Sequence, residues 1–256
     1  MPFTFSHPAI VLPLTYLPKQ WISLTGLMIG SLVPDFEYFI RMRVYSIYSH
    51  TGKGIFYFDL PLALILAFVF HFLVRDKLID NLPLFINRRF EKYKNFNWKD
   101  HFKRFYLSIT ISIIIGSFSH ILWDSFTHEH GFFVEKYSFL SQEINVRSSS
   151  FPIYKLLQHS SSLLGLLIIV IVIYQIPVNY SVTTRSAAFA FWPKVITIAF
   201  IVMVIKFALE LTFNQVGNLI VSGVSSVLIG LILASIITNS VKQSSHPQPL
   251  SFRRRK

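Results

Sequence analysis

The stretch of the chain most suited to chemistry is HILWDSFTH, residues 120–128. It places His120, Asp124 and His128 four residues apart at the end of an apolar segment. On an α-helix, steps of four keep side chains within roughly 80° of one face. Imidazole nitrogens and carboxylate oxygens are ligands of divalent transition metals, most often zinc. The spacing therefore predicts a metal site at the end of a helix.

The same spacing favours two ions over one. Four residues of helix rise about 6 Å, so His120 and His128 are about 12 Å apart along the axis of a straight helix and cannot share an ion. Asp124 lies between them, and a carboxylate can bridge two metals. Gly131 is well placed to end this helix. The alternative is structural, with Asp124 and His128 solvated at the membrane interface and His120 bonded to a neighbouring helix.

Four further potential ligands stand where the chain turns or is flexible. They are His7, Asp35, His50 and His159. Pro34 ends the preceding helix, so that Asp35 emerges at the mouth of that helix. Each of the four also has an ordinary structural explanation: Asp35 as a helix cap, and the histidines as polar residues of turns and loops.

Two charged neighbours extend the predicted chemistry. Glu37, two residues after Asp35, is a candidate general base or a group that supports the ligands. Lys53 follows His50 in SHTGKG, where flexible backbone would let the histidine bind a metal while the lysine contacts a phosphate oxygen. Asp124 is expected to be catalytic as well as bridging.

The composition is typical of a multi-pass membrane protein. Hydrophobic residues make up 52% of the chain and charged residues 14%, with a mean hydropathy of +0.51; a soluble domain has about 25% charged residues. The net charge of +12 is concentrated in residues 75–104 and 242–256, as in loops and tails that lie beside lipid. This distribution argues against nucleic acid as a partner. The absence of cysteine excludes thiolate ligands.

Five segments are apolar enough to span a bilayer, which requires about 20 residues of helix. They cover approximately residues 58–74, 105–123, 163–176, 193–213 and 216–238, the first with Asp59 and Pro61 near its start. Basic loops mark the cytoplasmic side, which predicts the N-terminus outside and the C-terminus inside. Residues 1–57 and 124–159, which carry most of the candidate ligands, then share the outer side.

The N-terminal region is apolar but interrupted. Residues 10–33 are predicted to form a helical hairpin that turns at Pro18 and brings His7 back towards Asp35. A single crossing by residues 21–33 would instead separate the two. Together, the composition, the five spans and the hairpin predict an all-α integral membrane domain over residues 1–240, with metal-site motifs in 1–57 and 116–160. A basic cytoplasmic tail is predicted over 241–256.

These motifs also carry a resemblance. MPFTFSHPA, GSLVPDFEY, SHTGKG, FDLPL, SHILWDSFTH and LQHSSS resemble a family of bacterial multi-pass membrane proteins of uncharacterised function. The pattern is more distantly similar to predicted membrane-bound metal-dependent hydrolases and to zinc-dependent phospholipase C. The hydrolase likeness implies ligand roles for His7, Asp35, His50, His120 and Asp124, and the closer family adds His128 and His159.

The expected function is metal-dependent hydrolysis of a phosphoester in a lipid or cell-envelope intermediate, at the outer face of the bacterial cytoplasmic membrane. The expected cofactor is a divalent metal, zinc foremost, in one or two ions, and the expected partner is the lipid bilayer. One alternative is an ion or solute transporter, with Lys206, Glu210 and His71 along its path. Another is a structural membrane protein, in which Lys206 and Glu210 form an ion pair within a helix.

Overall fold

A computed structural model describes residues 3–18, 20–94, 96–146, 149–181, 188–209 and 216–238. It contains five helices long and apolar enough to cross a membrane: Ile55–Asn81, Trp98–Lys136, Ile153–Gln175, Ala190–Leu209 and Val216–Ile237. The predicted all-α, multi-pass architecture is confirmed. The third of these helices begins at Ile153 rather than near Leu163, which makes it long enough to span.

The first spanning helix is irregular at both ends. A π-helical turn, Ile55–Asp59, leads into helix α4, Leu60–Val69, and a second π-helical turn, Phe70–Val74, leads into α5, Arg75–Asn81. Asp59 and Pro61 stand at the start of the α-helical part, as predicted, but the π-helical turn extends the helix back to Ile55 and the Asp59 side chain makes no capping hydrogen bond. Single π-turns of this kind are frequent at functional sites.

The second span contains the longest helix that the structure describes, α7, Trp98–Thr127. Asn97 caps its first turn, since the Asn97 side chain accepts a hydrogen bond from the Asp100 backbone N–H at 3.2 Å. The helix ends with His128 as its C-cap in an extended conformation. The predicted role of Gly131 is therefore wrong: it precedes the short helix α8, Phe132–Lys136, and has a negative φ of −70°.

The connection to the third span contains a small β-hairpin. Strands β1, Glu143–Val146, and β2, Ser149–Pro152, are antiparallel, and they lead directly into α9, Ile153–Gln175. The segment between the second and third spans, placed on the outer side by the sequence, thus contains regular structure. Its apolar side chains Val134, Leu140 and Tyr154 pack into a small core of their own.

The predicted N-terminal helical hairpin is confirmed. Its helices are α1, Pro8–Val11, α2, Leu24–Gly30, and α3, Phe36–Arg41, joined by 3-10 turns at Leu12–Tyr16 and Val33–Asp35. The hydroxyl of Ser108, well inside α7, donates to the carbonyl of Gln20. Ser112 Oγ accepts from the Ser23 backbone N–H at 2.8 Å. The hairpin therefore inserts beside the second span and returns to the end at which it started.

Glycines let α2 and α7 approach closely. A Cβ on Gly116 of α7 would lie 2.6 Å from the Ser31 backbone nitrogen, and one on Gly30 would lie 2.4 Å from the Ile113 carbonyl oxygen. Small residues at helix interfaces allow such contact in membranes. Gly116 precedes His120 by one helical turn, so this contact fixes the distance between His120 and the end of α2.

The remaining helices pack around α2 and α7. Helix α6, Leu84–Phe90, lies in the basic region, and α10, Ala188–Leu209, pairs with α11, Val216–Ile237, through Phe191, Val195 and Ala234. Asn218 accepts a hydrogen bond from the Val44 backbone N–H at 2.8 Å. The predicted Lys206–Glu210 pair cannot be placed, since Glu210 lies outside the described residues.

We expect Gly116→Ala to lower the free energy of unfolding by about 1–3 kcal/mol, because the added methyl group overpacks the contact between α2 and α7. The matched control is Gly223→Ala in α11, where a Cβ meets nothing within 4 Å and helix propensity alone favours alanine. Thermal unfolding of both variants in detergent micelles compares them. Equal midpoints for the two variants would contradict the close-packing argument.

Candidate metal centre

Four side chains from three separate segments converge at one end of the spanning helices. Asp35 comes from the 3-10 turn after α2, His50 from the loop after α3, and His120 and Asp124 from the last turns of α7. Each offers one ligand atom, and these four atoms lie within 4.8 Å of one another. Asp35 and Asp124 are 89 residues apart along the chain. The packing of α2 on α7 brings them together.

The spacing of these atoms suits a single ion. His50 Nε2 is 3.5 Å from Asp35 Oδ1 and 3.5 Å from Asp124 Oδ2. His120 Nε2 is 3.6 Å from Asp35 Oδ1 and 3.3 Å from Asp124 Oδ2. A tetrahedron with metal–ligand bonds of about 2.0–2.1 Å has edges of about 3.3–3.4 Å. A cation of zinc's size therefore fits among the four atoms.

Three of the four ligand atoms have no hydrogen-bond partner among the described residues. Asp35 Oδ1, His50 Nε2 and His120 Nε2 are buried and make no hydrogen bond within the part of the chain that the structure describes. A buried polar atom without a partner is costly, and most such atoms in native proteins are paired. A cation at the centre of the cluster would satisfy all three atoms at once.

The hydrogen bonds behind the cluster orient its ligands. His120 Nδ1 donates to the carbonyl of Ser31 at 2.8 Å, and since a carbonyl only accepts, the neutral ring presents the lone pair of Nε2 to the cluster. His50 Nδ1 contacts Ser49 Oγ at 2.9 Å. The hydroxyl of Thr4 donates to Asp35 Oδ2, which leaves Oδ1 to face the histidines.

The charges around the cluster keep Asp35 in the ionised form that can bind a metal. Burial raises the pKa of Asp35, but the interactions with His120 and His50 outweigh it and hold the pKa below its usual value. Asp35 therefore remains a carboxylate, the form that binds a metal. Burial lowers the pKa of His50, yet its contacts with Asp124 and Asp35 shift the net value upwards.

Two further predicted ligands lie against Asp124. His7 is fully buried; its ring stacks on that of His120 with centroids 3.9 Å apart, and its Nε2 is 3.2 Å from Asp124 Oδ1. His128 has left the helix, but its Nδ1 is 3.6 Å from the same Oδ1. The structure thus brings six of the seven predicted ligands together.

The seventh predicted ligand, His159, is placed elsewhere. Its side chain is exposed on α9, and it takes no part in the contacts that the structure describes around Asp124. Nearby on the same helix, Ser161 and Ser162 do reach the N-terminal segment and α7: Ser162 Oγ accepts from the Phe3 backbone N–H, and Ser161 Oγ accepts from Trp123 Nε1, each at 3.1 Å.

Glu37 has a role different from the predicted general base. Its carboxylate accepts hydrogen bonds at 2.9 Å from the backbone N–H groups of residues 47–49 and pairs with Arg41 at 2.9 Å. Burial raises the pKa of Glu37, but these donors outweigh it and lower the pKa to about 2. With both oxygens occupied, Glu37 anchors the loop that carries His50 and is a poor proton acceptor.

Asp59 is the acidic residue whose importance the sequence analysis missed. It is fully buried, and neither carboxylate oxygen has a hydrogen-bond partner among the described residues. The carboxylate interacts electrostatically with His50 and His120, and its π-helical turn packs on the turn that carries Asp35. An acid inside an apolar segment, as in FDLPL, is the signal that could have identified it.

The cluster is open on one side. The side chains of His7 and His120 are fully buried, whereas those of His50 and His128 are 20% and 30% exposed. A cavity of about 400 Å³ lies along residues 47–58, the segment that includes His50. Its lining includes Tyr48, Tyr57 and Phe58, with Lys53 as its cation.

Comparison with known proteins gives a family without an assigned activity. A family model described as a domain of unknown function, DUF4184, matches residues 1–236, which include every residue of the cluster. No curated protein and no solved structure matches the chain. The likeness to metal-dependent hydrolases therefore remains an expectation from the motifs.

We expect Glu37→Gln to detach the loop that carries His50, because an amide –NH₂ would face backbone N–H donors. The free energy of unfolding should fall by about 1–3 kcal/mol, and the amides of residues 47–49 should exchange faster with deuterium. Glu135→Gln, at a side chain that is 64% exposed, is the control. Unchanged exchange in the Glu37 variant would contradict the anchoring role.

We expect Asp59→Asn to stabilise the metal-stripped protein by about 1–3 kcal/mol, because it removes a buried carboxylate with no partner. Asp76→Asn is the control, since the Asp76 side chain is 49% exposed and pairs with Arg75 at 2.7 Å. Thermal unfolding after treatment with chelator measures both variants. A lower midpoint for Asp59→Asn would mean that the carboxylate has a stabilising partner.

Proposed function

Because the chain belongs to the DUF4184 family, whose description assigns no activity, the function must be argued from the site, and we propose that it is a membrane-bound, metal-dependent phosphoester hydrolase. The observation that carries this proposal is the set of four ligand atoms within 4.8 Å of one another, three of them buried with no hydrogen-bond partner among the described residues. The His50 side chain is 20% exposed, whereas a purely structural ion would need no exposed ligand.

The donor set supports zinc as the ion. Two imidazoles and two carboxylates, with His–Asp separations of 3.3–3.6 Å, suit zinc, which also tolerates a fifth ligand during catalysis. When bound, such an ion would polarise a phosphoryl oxygen and lower the pKa of water towards about 7. The Asp35 and His120 side chains are held rigidly by Thr4 and Ser31, so they would keep the ion in place.

The residues that follow His50 support a phosphoester substrate. The His50 side chain is 20% exposed, and Lys53, three residues further along the chain, lines a cavity. An ammonium group there would attract a phosphate and hold one of its oxygens by a charge-assisted hydrogen bond. Glu37 contributes indirectly, because it fixes the backbone of residues 47–49 and thereby the position of His50.

The membrane setting supports a lipid or a lipid-linked cell-envelope intermediate as the substrate. The cavity that Lys53 lines lies at the start of the first spanning helix, and three of its seven lining residues, Tyr48, Tyr57 and Phe58, are aromatic. Substrates dissolved in the bilayer would be concentrated at such a site. The distribution of basic residues supports an outward-facing site in a bacterial cytoplasmic membrane, with the N-terminus outside and the C-terminus inside.

The transporter alternative has less support. It requires His71 along an ion path, but His71 is hydrogen-bonded to Thr25 at 3.0 Å, contacts Arg75 at 3.2 Å and stacks on Trp98 with centroids 4.3 Å apart. These contacts describe a satisfied side chain that joins helices together. No described contact connects it to the cluster.

The proposal is tested by metal analysis and activity together. Wild-type protein purified in detergent should contain zinc, Asp124→Ala should lose it, and the exposed His159→Gln should keep it. Wild type and His159→Gln should release phosphate or alcohol from long-chain phospholipid or isoprenyl phosphate substrates, and chelation should abolish the release. Equal metal in wild type and Asp124→Ala would remove the site, and metal retained without cleavage of any phosphoester would favour ion binding alone.

A further inference from the structure

Asp124 presents its two carboxylate oxygens to two different sets of imidazoles. Oδ2 faces His120 at 3.3 Å and His50 at 3.5 Å. Oδ1 faces His7 at 3.2 Å and His128 at 3.6 Å. The first set belongs to the four-atom cluster, whereas the second set lies outside it.

We propose that Asp124 bridges two divalent ions, the second being bound by Asp124 Oδ1, His7 Nε2 and His128. This inference rests on the proposed function, since it presupposes an ion at the first position. His7 and His128 are thereby assigned to the second ion. The spacing of residues along a helix could not show which atom binds which ion.

The hydrogen bonding of His7 leaves its Nε2 without a proton to donate. His7 Nδ1 lies 3.1 Å from the carbonyl of Thr4, which only accepts, so the proton of the neutral ring is on Nδ1. The lone pair of Nε2 then faces the carboxylate oxygen of Asp124 at 3.2 Å. A cation placed between these two acceptors would satisfy both of them at once.

The surroundings of His7 fix the direction of its Nε2. The His7 ring is fully buried and stacks on His120 with centroids 3.9 Å apart and an angle of 17° between the planes. Its Nε2 therefore converges with Asp124 Oδ1 on the position proposed for the second ion.

The stacking also places the two positions side by side. His7 and His120 both have Nδ1 on a backbone carbonyl, of Thr4 and Ser31, and both direct Nε2 at Asp124. The two stacked rings would thus each hold one ion, on different oxygens of the same carboxylate. Two-metal sites that bind phosphoesters have ions about 3.5–4 Å apart, which clamp the attacking and leaving oxygens.

His128 supplies the exposed edge of this second position. Its side chain is 30% exposed, and its Nδ1 now contacts the carbonyl of Asp124 at 3.2 Å. Binding an ion through Nδ1 would require the ring to lose this hydrogen bond and its proton. The second ion would therefore be the more weakly bound and the more accessible of the two.

The test is a titration of full-length, chelator-treated protein in detergent with Zn²⁺ and, separately, with Mn²⁺. Wild type should bind two ions per chain with unequal affinity, and the two Mn²⁺ ions should give a magnetically coupled spectrum in electron paramagnetic resonance. His7→Gln should bind one ion with the spectrum of isolated Mn²⁺. The control His159→Gln should behave as wild type.

Because His7 is buried, His128→Gln provides a second variant at an exposed position that should not affect folding. It should weaken the second ion at least tenfold and leave the first unchanged. One ion in wild type, or two coupled ions in His7→Gln, would overturn the bridging inference while leaving the first position intact. No ion in wild type would instead overturn the proposed function itself.

Discussion

The convergence of buried lone pairs at one point is the constraint on which the structure depends. Carboxylate oxygens of Asp35 and Asp124 face imidazole nitrogens of His50 and His120, and the hydrogen-bond donors that surround these groups are all behind them. Among the described residues, Asp35 Oδ1, His50 Nε2 and His120 Nε2 have no hydrogen-bond partner. Such an arrangement is costly for a folded chain unless a cation occupies it, and the outer hydrogen bonds serve to keep it from rearranging.

The re-entrant N-terminal hairpin makes that convergence possible in a membrane. The end of α2 and the turn after it must reach α7 without leaving polar backbone exposed to lipid. Gly30 and Gly116 allow the two helices to touch, and Ser108 and Ser112 satisfy backbone groups of the extended segment at the tip of the hairpin. Irregular backbone at membrane depth is stable when protein covers it in this way.

The residues around the cluster fall into two groups: buried ones that hold it in place, and partly exposed ones at its edge. His7, His120 and Asp35 are enclosed by the N-terminal segment and α7, whereas His50 and His128 lie at an edge. Glu37 belongs to the supporting group, since it holds the loop of His50 through three backbone N–H groups. A rigid interior and an accessible edge are what a catalytic centre needs, because ligands must be fixed while a substrate enters.

Much of the fold was determined by the sequence alone, because a bilayer demands long apolar helices and a helix repeats its faces at a known period. Five spans, the N-terminal hairpin and the pairing of His120 with Asp124 follow from those two rules. The tertiary structure alone decided which scattered residues meet. Glu37 holds the loop at residues 47–49, which favours the supporting role over that of a general base. The His159 side chain is exposed although its helix is adjacent, and Asp59 is buried beside the cluster. These outcomes depend on how distant segments pack against each other, and side-chain orientation across such contacts has no periodic signature along the chain.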